Sequence, residues 1–303
     1  MSLQLKEGEI LALVGKSGSG KTTLLKCIYG LEDLDKGEVW MGDRKVLGPS
    51  YKLMPGDEDM RLVSQDYYVL DNHSVEENVY DKLIAYSDVW KQKRCDQVLT
   101  LLELKPLRQT KARFLSSGQK QRLAIARAIA EMPKVLLLDE PFSNLDKLLS
   151  DKLFAFIVKE VRKHKTAVLL ITHLAEEALK YSDRIAIMDK GKIQKTGEKW
   201  EMYYRPLSSR LAGLLGDFNV LHQEDLEKKA KKHFSKKTFV RPDTFVLLNS
   251  HEQAQIQLKV QSCVFNGKCF ELLCETVHGR TVMVYHHKAI KEDKQIFCSI
   301  TRA

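Results

Sequence analysis

What this 303-residue chain lacks narrows its identity first. No uninterrupted apolar run approaches the roughly 18 to 20 residues that cross a bilayer. The best are Val135 to Leu138 and Ala167 to Ile171, so the chain is not itself a membrane pore. The opening stretch, Met1 to Glu9, carries acidic residues and has no apolar segment followed by a small-residue cleavage site. It does not read as a secretory signal, and a cytoplasmic address is expected. Six cysteines, at 27, 95, 263, 269, 274 and 298, include no C-x-x-C pair. That spacing argues against a zinc ribbon and against a disulfide framework, and reduced core thiols are expected. With 7 prolines and 16 glycines against 44% hydrophobic and 29% charged residues, neither a collagen-like nor a disordered chain fits. Acid is missing from Lys228 to Lys237, which holds six lysines; without that run the net charge of +9 falls to +3. The run has no aromatics at stacking intervals, so it reads as a solvated face, and no nucleic-acid partner is expected. Finally, the first twenty residues contain no Phe, Tyr, Trp or His, and the first aromatic is Tyr29.

What is present divides the chain. Before Tyr203, continuous apolar runs at Ile10 to Val14, Val135 to Leu138, Ala167 to Thr172 and Arg184 to Met188 read as strands buried on both faces of a parallel sheet. Helical spacing separates them at Thr22 to Tyr29, Gln119 to Ala130, Lys147 to Lys163 and Ala175 to Tyr181, which predicts an α/β layered domain. After Leu221 the texture becomes β-rich: Thr238 to Val240, Phe245 to Leu248, Ile256 to Phe265, Cys269 to Thr276 and Thr281 to Tyr285. Turns such as Asn266-Gly267 and His278-Gly279 part these stretches, and a small barrel or sandwich is predicted.

Gly15-Lys16-Ser17-Gly18-Ser19-Gly20-Lys21-Thr22 matches G-x-x-x-x-G-K-[ST] and lies between a predicted strand and a predicted helix, where a phosphate-binding loop belongs. Backbone N–H groups need glycine to approach phosphate oxygens, and a helix N-terminus adds favourable potential. Lys21 is expected on the β- and γ-phosphates of a nucleotide, Thr22 on Mg²⁺, and Thr23 with the rest of the loop on the phosphates. Asp139 and Glu140 follow the strand Val135 to Leu138, at the edge where α/β sheets bind ligands. Successive strand residues face opposite ways, so the two acids can take different jobs: Asp139 to hold Mg²⁺, Glu140 to polarise the attacking water.

Phosphate binding alone does not separate kinases, GTPases and motor ATPases. The segment Leu115-Ser116-Ser117-Gly118-Gln119 resembles the LSGGQ signature of ATP-binding cassette (ABC) proteins, with Ser117 in place of the first glycine. In the family's order, Gln65 resembles the Q-loop glutamine, Ser143-Asn144-Leu145-Asp146 the D-loop, and His173 the switch histidine. The tail stretches Tyr203 to Pro206, Gly216 to Asn219 and Val240 to Asp243 resemble the junction and opening strands of a TOBE domain, an oligonucleotide-binding-like barrel on importer ATPases.

This resemblance implies a P-loop NTPase cassette with a mostly parallel sheet and a helical subdomain over residues 1–205, a linker at 206–220 and a TOBE-like β-barrel at 221–303. It implies an ATP-hydrolysing importer subunit acting with Mg²⁺. Catalysis would fall to Glu140, His173 and Gln65, with Gln65 also near Mg²⁺. Two cassettes, expected to be two copies of this chain, would pair head to tail. Ser116, Ser117, Gly118 and Gln119 would face the partner's ATP, and Asp146 would serve as the D-loop acid. A separate membrane permease would meet the segment Tyr67 to Val79 and place the subunit on the inner face of the cell membrane. An extracytoplasmic substrate-binding protein would take part indirectly. Family members place an aromatic residue before the P-loop to stack on adenine; none stands there here, so the start is shortened or adenine is held differently, and weaker ATP binding is expected. A soluble ABC ATPase working on ribosomes or DNA, and a nucleotide-dependent module with little hydrolysis, remain alternatives of other classes.

Overall fold

A computed structural model describes residues 2–301. The chain forms two compact units, Met1–Gly197 and Glu198–Ala303.

The first unit is built on strands β1 (Ile10–Val14), β2 (Val39–Met41), β3 (Arg44–Val46), β4 (Met60–Val63), β5 (Val135–Asp139), β6 (Ala167–Thr172), β7 (Arg184–Asp189) and β8 (Lys192–Glu198). Its helices are α1 (Lys21–Tyr29), α2 (Val75–Tyr80), α3 (Asp88–Leu101), α4 (Ser117–Ala130), α5 (Lys147–His164) and α6 (Ala175–Tyr181). Six strands form one sheet in the order β4-β5-β6-β1-β7-β8, with β1 paired parallel to both β6 and β7. The sheet ends in a hairpin, whose turn residues Lys190 and Gly191 have φ of 47° and 74°, the backbone a two-residue I′ turn requires.

The continuous apolar strands are buried on both faces. On β5, Leu136 and Leu138 join Val168, Leu170, Leu123, Ile125 and Ile157 in one cluster, while Leu137 turns to Leu11, Leu13, Leu169 and Leu25 in another. Each fully buried leucine or isoleucine there contributes about 1.5–3 kcal/mol relative to exposure. Helices α2, α3 and α4 pack together beside the sheet. Buried Arg94 of α3 ties them to α5: its guanidinium donates to the α4 carbonyls of Ile129 and Ala130 and to Glu160 Oε2.

The second unit carries α7 (Lys199–Tyr204), α8 (Ser209–Gly213), β9 (Asn219–His222), β10 (Lys237–Val240), β11 (Phe245–Leu248), β12 (Ile256–Phe265), β13 (Phe270–Thr276), β14 (Thr281–His286) and β15 (Gln295–Ile300). It is a small barrel-like domain. Five strands run antiparallel in the order β11-β15-β12-β13-β14, and β9 and β10 form a separate ribbon. Buried Asn219 joins the ribbon to β14, its amide donating to Met283 O at 2.7 Å and accepting from Met283 N at 2.8 Å, the two bonds a neighbouring peptide would make. All six cysteines are free, and burial pushes the thiols of Cys95, Cys274 and Cys298 up to about 12. Among the described residues no cluster of His, Cys, Asp and Glu has metal-site geometry, and no helix is long and apolar enough to cross a membrane.

Candidate functional site

The sheet brings the ends of β1, β5 and β6 side by side, and the sequence-predicted residues meet there. After β1 the chain turns through 15–20 into α1. Gly15 passes so close to β7 that a Cβ on it would lie 2.3 Å from Met188 O, so no side chain fits. Gly20, the residue before α1, has φ 96°, a conformation glycine adopts without strain. Ser19 is buried and its hydroxyl has no partner. Lys16, Ser17 and Gly18 are exposed, as are Thr22 and Thr23 in the first turn of α1.

Lys21 is 7% exposed, and its ammonium donates to Gly15 O at 2.8 Å and Lys16 O at 3.1 Å. It is thus folded back over its own loop, at the centre of the N–H cradle. Burial lowers its pKa, opposed by the nearby charges of Glu140 and Asp139. Thr22 Oγ1 donates to Asp139 Oδ2 at 2.8 Å. Asp139 is 1% exposed, its Oδ1 has no hydrogen-bond partner, and burial raises its pKa against the Thr22 bond. A hydroxyl and a carboxylate with one unpaired oxygen form the all-oxygen donor set that Mg²⁺ prefers. These residues fit the ion.

Glu140 departs from the strand expectation. It lies one residue past β5, in a left-handed conformation with φ 49°. Its N–H still donates to Ile171 O at 3.0 Å on β6, and Glu140 Oε1 lies 3.0 Å from His173 Nδ1. Strand alternation therefore does not separate the two acids; a backbone reversal after Asp139 does. His173 follows β6 and is exposed. Its loop is fixed by buried Thr172, whose hydroxyl donates to Glu177 Oε2 at 2.5 Å and accepts from Leu174 N at 3.0 Å.

Gln65 lies two residues past β4, the neighbour of β5, and is exposed. The signature residues open α4. Ser116 Oγ accepts from Gln119 N and Gln119 Oε1 accepts from Ser116 N, a reciprocal capping box that leaves the Ser116 O–H free to donate outward. Ser117 is exposed on the first turn, and a Cβ on Gly118 would lie 3.8 Å from Asn144 O. Asp146 caps α5, accepting from Leu149 N at 2.9 Å. Asn144 Nδ2 also donates to Tyr67 OH at 3.0 Å, joining the D-loop to the Gln65 loop. Sequence reasoning missed two further supports, Asn78 and Arg127. Fully buried Asn78 holds the segment after Gln65 through Leu70 and His73, and Arg127 of α4 donates to it at 2.8 Å. A polar residue amid the apolar periodicity of α4 was the available signal.

Residues 1–143 match the family model described as ABC transporter. Among curated relatives, the trehalose/maltose import ATP-binding protein of Thermococcus litoralis is 38% identical over 222 residues, 71% of this chain and 59% of that protein. The sulfate/thiosulfate import ATP-binding protein of Mesostigma viride is 30% identical over 286 residues, 90% of this chain and 80% of its own length. The spermidine/putrescine import ATP-binding protein of Bacillus cereus is 38% identical over 223 residues, covering 73% and 67%. An ATP-binding cassette solved as a dimer in a post-hydrolysis state with ADP and Pi superimposes with a TM-score of 0.57 at 29% identity, over 65% of this chain and 88% of that one. The match to the archaeal relative thus spans a little under two thirds of that protein. The chain belongs to the ABC transporter family of ATP-binding proteins.

Proposed function

We propose that this chain is the ATP-binding and ATP-hydrolysing subunit of an ABC importer, working as a head-to-tail pair of cassettes, expected to be two copies of this chain, on a separate permease. Relatives named as import ATP-binding proteins support the importer reading, and the dimeric ADP- and Pi-bound neighbour supports the pair. The observation that carries the reading is the meeting of Lys21, Thr22–Asp139 and Glu140–His173 at one sheet edge.

Lys21 would exchange its two loop carbonyls for phosphate oxygens, and the N–H groups of 15–20 would surround those oxygens. Thr22, Asp139 and Gln65 would hold Mg²⁺, which when bound neutralises charge on the β- and γ-phosphates. Both buried charges would gain, since a cation beside Asp139 and an anion beside Lys21 oppose the shifts that burial imposes. Glu140 would take the proton of the attacking water on Oε2 while His173 holds Oε1. Ser116 and the first N–H groups of α4 would donate to ATP bound on the partner cassette, with Ser117, Gly118 and Gln119 lining that turn. Permease docking would use the segment Tyr67 to Val79, which adjoins a groove of about 430 Å³ lined by Glu77, Tyr80, Asp81, Ile84, Asp88 and Lys91. A substrate-binding protein would act only through that permease, and the subunit would sit at the inner membrane face by the same contact.

Glu140→Gln tests the chemistry. Loss of a positioned base costs roughly 10²–10⁴ in rate. Steady-state phosphate release should fall by that factor, while ATP binding is retained and an ATP-dependent dimer accumulates in sedimentation. Turnover equal to wild type would overturn the assignment.

A further inference from the structure

Gln121 is used by none of the roles above, yet it is 0% exposed and lies on α4 two residues past Gln119. Its side-chain amide reaches out of the helix. Nε2 donates to Pro141 O at 2.9 Å and lies 3.5 Å from both Glu140 O and Ser143 Oγ. The other end of the amide, Oε1, is buried without a partner. An apolar side chain of the same length would avoid that unsatisfied oxygen but would leave Pro141 O without its donor, so glutamine here keeps the bond to the turn at the cost of one orphaned oxygen.

The turn it grips needs gripping. Glu140 has φ 49°, and the residue before a proline is pushed toward extended backbone, so a left-handed glutamate followed by Pro141 is strained on two counts. Such a conformation persists only where its surroundings over-determine it. Here Glu140 N–H is held by Ile171 O, and its carbonyl accepts from Ser143 Oγ at 3.1 Å. Ser143 is exposed and on the turn itself, so its bond travels with the turn. Besides the β6 carbonyl, Gln121 is the buried side-chain tie from a different element.

We propose that Gln121 is a positioning residue that fixes the Glu140–Pro141 turn from the signature helix. The inference rests on the hydrolytic dimer reading, and it adds a connection: the start of α4, which would meet the partner's ATP, is bonded through one amide to the carbonyl of Pro141, next to the base acting on this chain's own ATP.

Gln121→Met keeps length and apolar contact, and removes the donor and the orphaned oxygen together. In the full chain, kcat for phosphate release should fall at least 10-fold with KM and the Kd for ATP changed less than threefold. Amide exchange should quicken across 140–145 while α4 beyond Ala124 stays protected. If the methionine variant does not fold, Gln121→Asn, which withdraws the amide by one methylene, should give the same split. A kcat within twofold of wild type, or faster exchange along the whole of α4, would overturn the positioning role. A wild-type chain that releases no phosphate would overturn the hydrolysis reading instead, and the exchange measurement would then decide Gln121 by itself.

Discussion

Arg241 gives the strongest stability prediction, because one side chain joins three separated stretches of the second unit. It is 2% exposed; Nε donates to Tyr203 O at 2.8 Å, and Nη1 faces Ala212 O at 3.1 Å and Gly216 O and Asp217 O at 2.8 Å. The guanidinium carbon also lies 4.1 Å from the Tyr203 ring centroid. Nη1 has two hydrogens for three carbonyls, so about three full bonds are made. At about 1.5–3 kcal/mol for each bond from a charged donor, the gross gain is about 4.5–9 kcal/mol. Burying the charge offsets several kcal/mol, and Nη2 is left without a partner. Arg241→Met should therefore destabilise the second unit by about 3–5 kcal/mol, the gross gain less the cost of burying the charge. Arg241→Lys should recover less than half, since one ammonium cannot reach both the Tyr203 and the Gly216 carbonyls. Urea denaturation read by hydrogen-exchange mass spectrometry reports 2–197 and 198–301 separately. A loss below about 1 kcal/mol in the methionine variant would mean that water replaces these bonds freely, and the reasoning would fail.

Two further outcomes are expected. Arg44 grips buried Asp57 through both oxygens, at 2.6 and 2.9 Å, and this bond holds the carboxyl below its ordinary pKa. A depressed carboxyl contributes stability above its unfolded pKa of about 3.9 and loses it as pH falls further. Because Arg44 is partly exposed, Arg44→Met should cost only about 1–2 kcal/mol at pH 7, and the gap from wild type should close in denaturation curves below about pH 4; a gap constant from pH 7 to 2.5 would contradict this. Ser116→Ala removes the α4 cap and should cost about 1 kcal/mol of stability. It should also weaken the ATP-dependent dimer in sedimentation, and an unchanged dimer would remove Ser116 from the interface.

The sequence made some parts of this molecule legible because their physics is local. Strands β1, β5 and β6 are continuous apolar runs, and their edges follow from composition alone. The P-loop is legible for a similar reason, since glycine spacing and a following lysine state what the backbone must do. Strand β4 hides because Arg61 interrupts its apolar run, with Nη1 turned back to the carbonyls of Glu58 and Met60. Strand β15 was readable and overlooked: Ile296, Cys298 and Ile300 alternate as buried residues. Glu140 shows where spacing misleads. Its place after a strand suggested an alternating side chain, whereas the chain reverses there, held by Ile171, Ser143 and Gln121. None of those three bonds follows from residue spacing, because two of the partners come from elements that only the folded sheet and helix bring together. A motif can name the base; the direction in which that base points is set by side-chain-to-carbonyl bonds from outside it.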